Sequence, residues 1–176
     1  MMFDETDMDR SMRRQATLAV DWDLVYAEQL PRIYNYFRFR FGGSADAEDL
    51  TARTFEKAWR GRHRYKADLA GFSTWLYKIA QNAGVDHLRA RRAHLSLDAA
   101  ADLPADATPE QDLERDSDLV RLAQLTAALP EHDQELIALK YGAGISNRQI
   151  AHITGLSESN VGTRLHRLVQ ELRSRW

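Results

Sequence analysis

Apolar residues recur every three to four positions through most of this 176-residue chain, a period that predicts helices rather than strands. From Asp21 to Phe41 the stripe is Leu24, Ala27, Ile33, Phe37 and Phe41. From Ser44 to Gly61 it is Ala47, Leu50, Thr54 and Ala58, with Phe55 and Trp59 beside it. That second segment opens on acidic residues and ends in Lys57 and Arg60 before Gly61, a polarity that complements the helix dipole. From Phe72 to Arg92, the residues Phe72, Leu76, Ile79 and Ala83 fall on one face. Gly84 inside this third helix costs about 1 kcal/mol relative to Ala and offers a place to bend. The only strand-like alternation is too short to build a sheet. The predicted fold class is all-α.

The last 48 residues, 129–176, predict three further helices. Pro130 sits where a helix can begin. Gly142 and Gly144 punctuate the first break, and Thr154-Gly155-Leu156-Ser157 the second. Ser146 with Gln149 matches a capping box, and Ser157 is a good N-cap. Ile150, Ile153, Leu156, Val161, Leu165, Leu168 and Leu172 give one buried seam. A short helix, a tight turn with Gly and a longer helix make the helix-turn-helix pattern, whose second helix enters the major groove. Opposite the seam lie Asn160, Arg164 and Arg167, with Ser157, Ser159, Thr163 and His166 alongside. Arg pairs with guanine and Asn with adenine through two hydrogen bonds each. A plain helical hairpin with a solvated basic face is the alternative reading.

Two of the four prolines lie in the Ala- and Asp-rich stretch 96–109, which lacks periodicity and reads as a linker. The chain therefore divides into a tail, 1–20, a helical domain, 21–95, an acidic linker, 96–118, and a second helical domain, 119–176. Mapped this way, the net charge of -2 conceals strong asymmetry. Residues 32–95 carry 13 basic and 6 acidic side chains, whereas residues 96–120 carry 1 and 8. Clustered Lys and Arg are the electrostatic footprint of a polyanion partner.

The richest cluster is RGRHRYKADLAGFSTW, where Arg62, Arg64 and Lys66 interleave with Tyr65 before Trp75. The helix that follows sets Trp75, Lys78, Asn82 and Arg89 on one face and reaches Arg91 and Arg92. Cations mixed with aromatics suit single-stranded nucleic acid, since charge tracks phosphates and rings stack unpaired bases. For Trp75 alone, core packing is the simpler role. Asp46, Glu48 and Asp49 resemble a carboxylate site but are better explained as a helix N-terminus offering an exposed acidic face to a basic partner.

The chain has no Cys, so disulfides, thiolate nucleophiles and Cys-ligated zinc are all excluded. The six His match no metal-ligand spacing, and no glycine run forms a phosphate loop. No cofactor, metal or catalytic constellation is expected. No apolar run approaches the ~20 residues needed to cross a bilayer, and the polar start is unlike a signal peptide. A cytoplasmic protein with no membrane insertion is expected.

Three blocks, DAEDLTARTFEKAW, FSTWLYKIAQNAGVDHLRARR and the helix-turn-helix segment, together resemble the sigma-70 family of bacterial RNA polymerase sigma factors, in its extracytoplasmic-function (ECF) group. The resemblance covers about 24–95 and 119–176. It implies a non-enzymatic protein that binds core RNA polymerase and promoter DNA, held in check by an anti-sigma factor. Carried onto this chain, Asp46, Glu48, Asp49, Thr54 and Lys57 would dock on the polymerase. Arg62 to Gly71 and the next helix would capture melted −10 bases. The segment Asn160 to Arg167 would read the −35 element, and the acidic linker would thread polymerase channels that otherwise hold nucleic acid. Gly162 departs from the family, where many members carry a basic residue. A stand-alone helix-turn-helix regulator is the alternative, but it leaves the aromatic-basic block and the acidic helix 44–60 without a task.

Overall fold

A computed structural model describes residues 21–66, 71–97 and 116–176. The tail 1–20, residues 67–70 and most of the linker lie outside the described residues. The described chain is helical, without strands: α1 (Trp22–Phe41), α2 (Ser44–Gly61), α3 (Phe72–Leu97), α4 (Asp116–Ala127), α5 (Glu131–Ile137), α6 (Asn147–Thr154) and α7 (Glu158–Arg175). A 3-10 turn, Arg62–Arg64, follows α2, and α5 runs on into a π-helical turn, Ala138–Gly142.

Local chemistry explains where these helices start. Asp21 caps α1, its Oδ1 accepting from the backbone N–H groups of Asp23 and Leu24 at 3.1 and 3.2 Å. Pro31 lies inside α1 and removes one backbone donor. The helix continues through it because Ile33, Tyr36 and Phe37 beyond are all fully buried. In α2 the expected stripe is the buried one, with Ala47, Leu50, Thr54 and Ala58 in the core. Helix α3 runs five residues past Arg92, and α4 starts at Asp116, so helix claims both ends of the segment expected as linker. No proline stands at either end of that segment to stop it.

The two halves share one core. Helix α1 packs on α2 and, along its other side, on the π-helical turn after α5. Gly142 makes that contact close: a Cβ there would stand 2.9 Å from the Asn35 carbonyl oxygen and 3.1 Å from Tyr36 Cα. Gly84 of α3 is less constrained: a Cβ there would meet the far end of the Phe41 ring, at 3.3 Å. At the seam, Arg40 of α1 pairs with Glu135 of α5, their side chains only 5% and 7% exposed. The Tyr36 hydroxyl donates to Glu135 Oε1 at 2.8 Å, and Arg40 Nη1 donates to the Tyr36 oxygen at 3.2 Å. Burial pushes the Tyr36 phenol above its ordinary range, against the opposing pull of the Arg40 guanidinium.

Candidate nucleic-acid interface

Helix α2 ends in the 3-10 turn that carries Arg62 and Arg64, and Tyr65 caps it in extended backbone. Tyr65 lies 5.3 Å from Phe72 and 5.4 Å from Trp75, ring centre to ring centre. Trp22 and Trp59 extend the cluster through Phe72, at 5.4 Å (Trp22–Phe72) and 5.3 Å (Trp22–Trp59). The Arg62 guanidinium sits 4.2 Å over the Trp59 ring and donates to the Trp59 carbonyl at 2.8 Å. Trp59 is 51% exposed, a flat ring with a cation already on it. Partial burial raises the Tyr65 phenol as well. Trp75 is half-buried, so it serves both packing and surface. Trp22 had no signal of its own in the sequence; only its closeness to two other rings marks it.

The polar members named for this domain divide. Arg64, Lys66, Lys78, Asn82, Arg89 and Arg91 are exposed. Arg92 is exposed but paired with Glu131 of α5. On α2, Glu48 and Asp49 face outward, Asp49 lying 3.8 Å from Arg53. Asp46 and Lys57 look towards α3 instead, at 3.7 Å from His87 and 3.4 Å from Asp86. Thr54 is a correction. It is completely buried, and its hydroxyl donates to the Leu50 carbonyl at 2.7 Å, so it offers nothing to a partner. Its place on the apolar stripe already required this.

In the second domain the capping box forms: Ser146 Oγ accepts from Gln149 N–H at 3.3 Å, and Gln149 Oε1 accepts from Ser146 N–H at 3.0 Å. Gly155 ends α6 in the left-handed conformation, φ 79°, which turns the chain into α7. Ser157 caps α7, accepting from Asn160 N–H at 3.2 Å. Ile150, Ile153, Val161, Leu165 and Leu168 are buried, while Leu156 and Leu172 are partly so. Ser157, Ser159, Asn160, Thr163, His166 and Arg167 are exposed, and they cluster at the N-terminal half of α7. Arg164 differs. It lies on the flank of the helix beside the seam, 31% exposed, and bonds Asp133 of α5 at 3.0 Å. Arg148, exposed in the first turn of α6, is a cation that sequence reasoning passed over. Between the domains lies a cavity of about 420 Å³ whose lining mixes Arg40, Glu131, Glu135 and Arg164 with Val85 and Leu136.

The sequence matches two family models: Sigma-70 region 2 over residues 25–94, and Sigma-70, region 4, over residues 119–172. The chain is 29% identical to the ECF RNA polymerase sigma factor BldN of Streptomyces coelicolor, over 94% of this chain and 64% of BldN. It thus spans less than two thirds of that relative's length. It is 33% identical to the RNA polymerase sigma factor CarQ of Myxococcus xanthus, over 85% of each chain. Among solved structures, sigma factor RpoE of Bartonella quintana, in complex with the anti-sigma factor NepR, has the same fold. The TM-score is 0.72 at 20% identity, covering 89% of this chain and 96% of RpoE. Two matched regions in the order of the family, and a relative aligned along most of both chains, establish the relationship: the chain belongs to the sigma-70 family of RNA polymerase sigma factors, in its extracytoplasmic-function group.

Proposed function

We propose that this protein binds core RNA polymerase and directs initiation at specific promoters, acting in the cytoplasm as a non-enzymatic initiation factor. The observation that carries the reading is two unlike nucleic-acid surfaces on one chain. The first is a ring cluster edged by Arg62, Arg64 and Lys66, suited to unpaired −10 bases. The second is a capped helix-turn-helix that presents Asn160, Thr163 and Arg167 to a −35 major groove. Residues 21–95 and 119–176 are the working domains. Glu48, Asp49 and the outer edges of Asp46 and Lys57 form the polymerase contact. By analogy with RpoE, solved with NepR, an anti-sigma factor is the expected regulator.

The test is run-off transcription with purified core polymerase on a library of fragments from the source genome, with and without this protein. Discrete start sites that appear only with the protein establish the reading and yield the promoter motif. Neither transcripts nor core binding would favour a stand-alone helix-turn-helix regulator instead.

A further inference from the structure

Six large apolar side chains are exposed among the described residues, and three of them, Phe39, Tyr141 and Trp176, line one groove. The groove has a volume of about 460 Å³, with Leu122 of α4 and Leu172 of α7 in its walls. Neither surface assigned above to DNA uses these residues. Exposed apolar surface gathered in one place marks a site of interaction. The rim is basic. Arg173 lines the groove, and the Arg121 guanidinium sits 5.3 Å over the Trp176 ring. The neighbouring carboxylate, Glu171, is taken by Arg175 at 2.6 Å, which leaves Arg173 and Arg121 without an acidic partner among the described residues. The groove therefore suits an apolar segment flanked by acids.

The chain's own first twelve residues, MMFDETDMDRSM, have that chemistry. All four methionines of the protein are here, with Phe3 among them, and Asp4, Glu5, Asp7 and Asp9 outnumber Arg10. Methionine is unbranched and polarizable, and it fills irregular apolar surfaces that stiffer side chains do not match. Length allows the contact. Ten peptide steps join Met12 to Trp22, and they reach at most ~33–36 Å. Along α1, Trp22 to Phe39 is about 26 Å at ~1.5 Å per residue. We infer that the groove is the docking site of this acidic, methionine-rich segment, with Met8 and Met12 against Tyr141 and Trp176 and the carboxylates facing Arg173 and Arg121. A second copy could offer the same segment, but a tethered one meets its site at an effective concentration on the order of millimolar. Any apolar partner of the groove must displace the segment first, so its apparent affinity falls by the fraction of time the groove is open. The contact does not depend on the function proposed above.

Because every methionine lies in this segment, methyl-labelled methionine in the full-length protein reports on it alone. NMR spectra should place the Met8 and Met12 methyls, assigned through Met8→Leu and Met12→Leu, upfield of free methionine, with cross-peaks to aromatic ring protons. Trp176→Ala and Tyr141→Ser remove exposed rings and should return both methyls to the free position, while circular dichroism melts confirm that the helices remain. Arg173→Glu, which reverses the rim charge without touching a ring, should move the methyls part of the way. In the protein lacking residues 2–12, anilinonaphthalene sulfonate should bind the uncovered groove more strongly, and Trp176→Ala should abolish that gain. Methyls at the free position in the wild-type protein overturn the inference. So do ring-shifted methyls that ignore both Trp176→Ala and Tyr141→Ser. Shifts that fade on dilution would assign the groove to a second copy and overturn the intramolecular contact.

Discussion

Two glycines test the packing with one chemistry and opposite signs. At Gly84, a Cβ would lie 3.3 and 3.6 Å from Phe41 Cζ and Cε2 and 3.7 Å from Arg40 Nε, all far ends of side chains. The Phe41 ring is half-buried and need shift only a few tenths of an ångström. Against that small strain stands the helix preference of Ala over Gly, about 0.8–1.0 kcal/mol. Gly84→Ala is therefore expected to stabilise the protein by roughly 0.5–1 kcal/mol, raising Tm by about 1–4 °C for a chain of this size. At Gly142 the neighbours are the Asn35 carbonyl oxygen at 2.9 Å, Tyr36 Cα at 3.1 Å and Phe39 Cβ at 3.1 Å. These are held by the α1 backbone and cannot rotate aside. Overpacking of this kind costs about 1–3 kcal/mol, so Gly142→Ala should lower Tm by roughly 2–12 °C. Thermal melts followed by circular dichroism, with urea midpoints as a second measure, resolve both. A Gly142→Ala protein as stable as wild type would refute the close approach of α1 to the π-helical turn. A destabilised Gly84→Ala would show that Phe41 is locked rather than yielding.

Further expectations concern function and pH. Arg167→Ala should weaken promoter binding by ~1–3 kcal/mol and relax −35 specificity if its guanidinium reads a base, with no change in Tm. Arg164→Ala should also lower Tm, because it strips Asp133 of a half-buried partner; equal Tm in the two variants would contradict that pairing. Tyr65→Ala should slow promoter opening and be rescued by pre-melted DNA. Trp75→Ala should be rescued less, since its ring also packs on Phe72 and Tyr65, and full rescue of both would make Trp75 a surface residue only. Burial pushes the Tyr77 phenol far above its usual value, with Arg32 opposing weakly. The unfolded phenol ionises near pH 10 while the folded one stays protonated, so stability falls as pH rises past ~10. Tyr77→Phe should flatten that fall between pH 9 and 11 in urea melts, and an unchanged slope would contradict it.

Much of the fold was legible because it is written in local chemistry. The stripes of α1 to α3, the Ser146–Gln149 box and the Ser157 cap each concern residues within a turn or two of one another. The ring cluster was half legible: Tyr65 and Trp75 lie in one basic stretch, whereas Trp22 joins it from another helix. Tyr36 escaped detection for a different reason. A residue with a polar tip looks at home on a surface, yet here it is fully buried, with Glu135, 99 residues away, accepting a hydrogen bond from its hydroxyl. Arg164 was placed on the reading face because its spacing from Asn160 and Arg167 fits. The fit is to the edge of that face, where Asp133 waits.

The same reasoning explains why charge counted by segment missed the seam. Residues 121–176 sum to a small positive charge, which describes their field at a distance and says nothing of direction. Direction comes from the helix: carboxylates at 131, 133 and 135 cannot all face one way once α5 forms. A helix with acids at alternate positions must meet cations on more than one side or leave some of them solvated. Glu135 is buried, so solvation was not open to it, and a buried carboxylate without a cation would be strongly destabilising. The burial of Leu136 and Ile137 on the same short helix carries Glu135 inward with them. Arg40, the last cation of α1 before the turn at Gly42, is the residue that reaches it. Packing of the apolar seam thus dictates the ion pair, and the ion pair in turn selects which face of α1 the second domain covers.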